Sequence, residues 1–300
     1  MGNRITAERW AKILRSLGHR VEIREDFDRR SSDLFIALHA RKSARSILQI
    51  RQQFEAATIV LALTGTDLNF DLATNSAAQR SLELADRLVL LQPLGSKKVP
   101  LRYHAKIQVI YQSAHGRKLT PLKKQFEVCV CGHLRAVKDP FRAALAVRSL
   151  SSESKITITH LGRAMSESMK TRALRETERN SRYNWMGEVS HAKSQQILAR
   201  SRLLLVSSKS EGAPSVVSEA LASDVPIIST KIDGVVGILG KNYPGYFQVG
   251  NTQELRKLLL RCESDAGFYD SLISHCQDRA SLIAPESELQ TWAKLLNELF

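Results

Sequence analysis

Two glutamates, Glu211 and Glu219, stand eight residues apart in the stretch SEGAPSVVSEALASDVPIIST, with Gly212, Pro214 and Ser215 between them. The pattern predicts a strand ending near Ser207 and a helix from about Pro214 to Ser223. Proline belongs in a first helical turn, and Ser215 can help cap the free amides there. A helix N-terminus carries partial positive charge and open N–H donors, so it suits a phosphate or diphosphate. Gly212 would let a ligand approach the backbone closely. Glu211 in the loop and Glu219 one to two turns into the helix can face one ligand, and carboxylates accept hydrogen bonds from sugar hydroxyls. A site for phosphate plus sugar is therefore weighed against a merely capped helix.

The elements that must position these residues alternate along the chain, helix after strand, which is the mark of α/β architecture with parallel sheets. Thr6 reads as an N-cap, followed by Ala7, Trp10, Ala11, Leu14 and Leu17 at helical spacing up to Gly18. Trp10 and Trp292 lie on apolar helix faces and read as core. RVEIR reads as a short strand and DLFIALHA as a buried one. Further strands are TIVLALTG, RLVLLQ and KIQVIYQ, with helices between them. Residues 112–125 are polar, basic and broken by glycine and proline, as a linker would be. A second series follows from FEVCVCG to VPIIST, and the chain closes on the helix ESELQTWAKLLNELF. The expected organisation is two doubly wound Rossmann-like domains facing a cleft: residues 1–115, residues 116–283, and a final helix over 284–300 that packs back on the first domain. A doubly wound domain normally opens on a strand, whereas this chain opens directly on a helix. A first strand of roughly 10–15 residues is thus expected to be missing.

Bulk properties narrow the function class. With 43% hydrophobic and 25% charged residues the chain is an ordinary globular one. No apolar run reaches the roughly 18 residues of a bilayer span, and the N-terminus lacks a signal-peptide core, so no membrane partner is expected. Cys129, Cys131, Cys262 and Cys276 are too few and scattered for a disulfide framework. Cys129 and Cys131 share one face of a strand and read as small buried thiols. A reduced, cytoplasmic protein is the expectation. No cluster has metal-ligand spacing, so neither metal nor cofactor is expected. The net charge of +14 is even, with 18 basic against 11 acidic residues in 1–115 and 26 against 19 thereafter. Without a basic tail or stacking motif, this argues for anionic small substrates rather than nucleic acid.

EGAPSVVSEALASDVPIIST resembles the E-x7-E signature of GT-B glycosyltransferases of the family-4 type, which use nucleotide-sugar donors. VCGHLRAVKDP resembles their strand-turn segment, in which a glycine is followed six positions later by a lysine that contacts the donor diphosphate. Here the pair is Gly132 and Lys138. His133 replaces the family's arginine, leaving His133 or Arg135 for the second contact; Arg135, permanently charged and able to bind two oxygens, is favoured. The resemblance further implies that Glu219 holds the ribose and Glu211 the donor sugar. It places the amides of Ser215, Val216 and Val217 at the diphosphate, beside Pro214, and RYNWMG, with Met186, at the edge of the base.

The segments GNRITAERWAKILRSLGHRVEI, DLFIALHARKSARSI, LALTGTDLNFDL, SLELADRLVLLQPLG and VIYQSA are similar to the selenosugar synthases of selenoneine biosynthesis, the SenB type. That resemblance implies transfer from a UDP-sugar, typically UDP-N-acetylglucosamine, to selenophosphate, with release of UDP and phosphate and formation of a carbon–selenium bond. Such a nucleophile is already anionic and needs cations more than a base. The acceptor side would then comprise Asn3, Arg4 and Thr6 at the first helix's start, and Arg41, Lys42, Thr64 and Thr66 after two strands, with His39 or Asp67 positioning water for the final hydrolysis. Ligands of open α/β sheets bind at such carboxyl ends. Blander readings stand beside these: Arg41 and Lys42 on a solvated helix face, His39 as a structural histidine, Asp67 as a turn cap. Two other functions also remain, a family-4 enzyme with a hydroxyl or thiol acceptor, and a non-catalytic nucleotide-sugar or nucleic-acid binding module.

Overall fold

The computed structural model describes residues 2–300. The chain divides into two units, one made of residues 1–112, 211–213 and 285–300, the other of 113–210 and 214–284.

In the first unit α1 (Gly2–Ser16), β1 (Leu34–Leu38), α2 (Ala44–Gln53), β2 (Thr58–Leu63), α3 (Ser76–Leu84), β3 (Arg87–Leu90) and β4 (Ile107–Val109) follow in turn. The four strands form one parallel sheet in the order β1-β2-β3-β4. Period-two alternation splits β2 between two cores. Ile59, Leu61 and Leu63 face a cluster with Ile47 and Leu82, whereas Val60 and Ala62 face Trp10, Leu14 and Trp292.

Two local expectations are corrected here. Residues 21–25, RVEIR, form no strand. A strand exists only with a ladder partner, and among the described residues β1, the edge of this sheet, bonds to β2 and not to residues 21–25. Thr6 is not an N-cap: α1 already starts at Gly2, and the buried Thr6 hydroxyl accepts a hydrogen bond from Gln112 Nε2 at 3.2 Å.

The second unit carries β5 (Phe126–Cys131), α4 (Arg142–Val147), β6 (Ile156–Leu161), α5 (Glu167–Arg179), β7 (Tyr183–Trp185), α6 (His191–Arg200) and β8 (Leu203–Val206). It continues through α7 (Ser215–Ala222), β9 (Ile227–Thr230), α8 (Asp233–Leu239), β10 (Tyr246–Phe247), α9 (Thr252–Ser264) and α10 (Ala266–Ala280). Its six strands are parallel in the order β10-β9-β8-β5-β6-β7. The chain runs outward from β5 through β6 and β7, then returns to the other side of β5 with β8. The carboxyl ends of β5 and β8 therefore flank a topological switch point, where open α/β sheets form their binding crevice.

The last helix, α11 (Pro285–Leu299), belongs to the first unit and packs on α1. Trp10 and Trp292 meet edge to face with ring centroids 4.8 Å apart. Beneath them the buried Glu288 carboxylate accepts from Trp10 Nε1 at 2.7 Å and pairs with Arg9 at 3.1 Å. Among the described residues no helix is long and apolar enough to cross a membrane.

Candidate functional site

The loop after β5 carries Gly132, His133, Arg135 and Lys138. A side chain at Gly132 would lie 3.7 Å from Lys138 Cδ, so the lysine arm passes close over the glycine. The turn that brings it there is braced from β8 and the loop after it. The buried Ser207 hydroxyl lies 3.0 Å from both the Lys138 and Asp139 carbonyls, and Lys209 N–H donates to Val137 O at 2.8 Å. Asp139 takes a left-handed φ of 45°, and its carboxylate accepts from Arg142 Nε at 2.8 Å. These contacts hold a cation at the switch point on a stiff turn.

His133 is oriented by Arg163, whose backbone N–H donates to His133 Nδ1 at 3.0 Å. Burial holds the His133 pKa below its ordinary value; Glu188 opposes this, while Arg163, Arg135 and Lys138 add to it. A neutral imidazole offers a hydrogen bond but no charge, whereas Arg135 is exposed and charged.

On the other side of the crevice α7 starts at Ser215, with Pro214 as its extended N-cap and no side-chain cap bond. Ser215 is thus the first helical residue rather than a cap. Val217 N–H donates to Pro214 O at 2.9 Å, so the amide expected at the diphosphate is already engaged, and Ser215 and Val216 remain as first-turn donors. Glu219, largely buried, lies 3.5 Å from Nε2 of His191, the first residue of α6. Sequence reasoning passed over that histidine; its one signal is its place just after Ser190, whose side chain caps α6. Met186 follows β7 and is 40% exposed.

Glu211 and Gly212 group with the first unit, not with the helix they precede. A Cβ on Gly212 would stand 2.6 Å from Gly65 Cα and 2.7 Å from Thr64 O. The close approach expected there is thus made by the Thr64–Gly65 backbone, not by a ligand.

The first unit gathers most of its expected residues at the carboxyl ends of β1 and β2. Asn3 Nδ2 donates to Leu38 O at 3.3 Å, and His39 Nε2 lies 2.9 Å from Thr66 Oγ1. His39 has φ of 94°, a strained value for a histidine, and residues Asp67–Asp71 form a π-helical turn; both features concentrate at functional sites. Burial pulls the His39 pKa down against the opposing pull of Asp67, leaving a neutral ring. Arg41 Nε pairs with Asp71 at 3.0 Å, and Lys42 N–H points at His39 Nδ1 at 3.4 Å.

Asp67 differs from the expectation that it positions water. It is fully buried, and its carboxylate accepts from the amides of Ala40, Thr64, Gly65 and Leu68 at 2.8–3.1 Å. It shapes the loop that presents Thr64 and Thr66. Arg4 turns to Glu8 on the exposed face of α1, and Thr6 is spent on Gln112, so neither joins the cluster.

The family described as glycosyl transferases group 1 matches residues 112–279, more than half of the chain. The chain is 30% identical over 145 residues to a Bacillus subtilis (strain 168) protein named as a teichuronic acid biosynthesis glycosyltransferase, TuaC. That match takes in 48% of this chain and 34% of TuaC, about a third of the relative's length. Among solved structures, Anabaena HepE in complex with UDP and glucose is similar with a TM-score of 0.72 at 17% identity, over 89% of this chain and 78% of HepE. The pneumococcal O-GlcNAc transferase GtfA in complex with UDP and GlcNAc gives 0.66 at 15% identity, over 83% and 54%. The shared feature is the fold: two α/β units with parallel sheets, the GT-B type.

Proposed function

The chain belongs to the glycosyl transferases group 1 family, and we propose that it transfers a sugar from a UDP-sugar donor. One observation carries this reading: Lys138, braced by Ser207 across Gly132, stands at the β5/β8 switch point together with the first turn of α7. The donor diphosphate takes the Lys138 ammonium, Arg135 and the Ser215 and Val216 amides. These groups stabilise the negative charge that grows on UDP as the bond to the sugar breaks. Glu219, steadied by His191, accepts from the ribose hydroxyls, and Glu211 serves the donor sugar. HepE and GtfA, the latter with GlcNAc, were solved with UDP, which supports the choice of nucleotide.

The acceptor we propose is selenophosphate, with UDP-N-acetylglucosamine as donor, on the resemblance of the first half to selenosugar synthases. Selenium attacks the anomeric carbon, the carbon–oxygen bond to UDP breaks, and its electron pair leaves with UDP. Water then cleaves the selenium–phosphorus bond, releasing phosphate. Arg41 and Lys42 attract the anionic acceptor, Asn3, Thr64 and Thr66 hydrogen-bond it, and neutral His39 positions the water. Incubation with UDP-N-acetylglucosamine and selenophosphate, followed by mass spectrometry, tests both levels. A selenosugar with UDP release supports the full reading. UDP release with a hydroxyl or thiol acceptor alone refutes the selenium step, and no release with any acceptor refutes transfer.

A further inference from the structure

Directly beneath the Gly132 turn lies His160, on β6 and 1% exposed. It shares its strand face with Ile156 and Ile158, where an aliphatic side chain would fill the space without an imidazole's desolvation cost. A buried imidazole is tolerated only when both nitrogens are paired, and both are: Nδ1 lies 2.9 Å from the Tyr183 hydroxyl and Nε2 lies 3.0 Å from Gly132 O. A carbonyl can only accept, so Nε2 carries the hydrogen. Burial pushes the His160 pKa down to about 4 and raises that of the Tyr183 phenol, so the ring is neutral and Tyr183 donates to Nδ1. The chain of bonds is therefore Tyr183 O–H to His160 Nδ1, and His160 Nε2–H to the Gly132 carbonyl.

Gly132 is held from two more directions, one through the peptide that precedes it and one against the Gly132–His133 peptide itself. Gly132 N–H donates to Leu161 O at 2.8 Å. Gly162, at φ of 141°, lies so close that a Cβ there would stand 2.2 Å from Gly132 O and 2.8 Å from His133 N. A trans peptide points its N–H opposite to its C=O. With the Gly132 carbonyl turned down to His160, the His133 N–H is turned away from β6.

We propose that His160 and Tyr183 are positioning residues for the nucleoside diphosphate: they lock the Gly132–His133 peptide so that the His133 amide donates to the diphosphate alongside Lys138. This rests on the donor-site reading above. Neither side chain touches the ligand; both act through the orientation of one backbone amide.

Calorimetric titration with UDP and with uridine tests the proposal in the full chain. His160→Leu leaves the Gly132 carbonyl unpaired and is expected to raise the UDP Kd roughly tenfold or more, with the uridine Kd unchanged. His160→Gln, whose amide N–H can reach the same carbonyl, is expected to restore most of the UDP affinity, a rescue that a merely structural role would not give. Tyr183→Phe is expected to weaken UDP several-fold. If UDP binding falls in Lys138→Ala but is unaltered in folded His160→Leu, the relay is wrong and the donor site stands. If the wild type itself does not bind UDP, both fall. Should His160→Leu fail to fold, Tyr183→Phe decides: an unchanged UDP Kd overturns the proposal.

Discussion

Replacing Glu288 with alanine removes the polar centre of the α1–α11 contact. The carboxylate is enclosed, with 0% side-chain exposure; it accepts from the Trp10 indole and pairs with Nε of the Arg9 guanidinium, itself only 20% exposed. Alanine leaves a mostly buried cation and a buried indole N–H without their acceptor. Removing one partner of a buried ion pair costs about 3–5 kcal/mol, well above the loss of a neutral hydrogen bond. A loss of that size lowers Tm by roughly 10 °C. Glu288→Gln keeps an acceptor for Trp10 and loses only the charge opposite Arg9, so about half that loss is expected. Thermal melting followed by near-ultraviolet circular dichroism is the assay, because the Trp10–Trp292 pair supplies both tryptophans of its unit. A Glu288→Ala protein that keeps the wild-type midpoint and aromatic signal would refute the reasoning. So would Glu288→Gln melting below Glu288→Ala.

Further outcomes follow from buried groups. Folded His160 titrates at about 4 and the unfolded ring at 6.5, so the folded state holds fewer protons between those values. Its contribution is therefore full above the unfolded value and lost as pH falls toward the folded one, about 2 kcal/mol by roughly pH 5. Urea unfolding near neutrality and near pH 5 should show the wild type losing about that much more than His160→Gln; equal losses would contradict it. The hydrogen bond with Cys131, with burial behind it, raises Cys129 well above the usual thiol range, and burial pushes Cys276 up to about 11 and Cys262 up to about 12. A disulfide reagent is expected to react promptly with Cys131 alone in the native protein and with all four cysteines once it is unfolded, and two prompt thiols would contradict this. Gly162→Ala puts a side chain at a left-handed φ and against Gly132 O, a backbone cost of roughly 1–3 kcal/mol before any steric shift. It should lower Tm and weaken UDP together; unchanged values for both would count against the Gly132 clamp.

The local structure of the segments expected to hold the donor was legible because its signals are local. The spacing of Glu211 and Glu219 about Pro214 marks a helix start, and Gly132 with Lys138 marks a turn after a strand, each within about a dozen residues. What could not be read depends on partners distant in sequence. Gly212 faces Thr64 and Gly65, Thr6 faces Gln112, and His160 serves Gly132 with Tyr183. RVEIR has the composition of a strand, but pairing is a property of neighbours, and among the described residues it pairs with no strand. Asp67 is instructive in the opposite direction. Its position after a strand end suggests chemistry, yet four amides converge on it, three from its own loop and the fourth, Ala40, from the loop after β1.

The central claim is that the crevice at the β5/β8 switch point holds a uridine diphosphate through Lys138 and Glu219. Titration of UDP into the wild type, Lys138→Ala and Glu219→Ala measures it directly. Each side chain is expected to supply a charged hydrogen bond of about 1.5–3 kcal/mol, so each variant should weaken UDP by roughly tenfold to a hundredfold with its Tm preserved. Wild-type affinity for UDP in both folded variants, or no UDP binding by the wild type, would contradict the account.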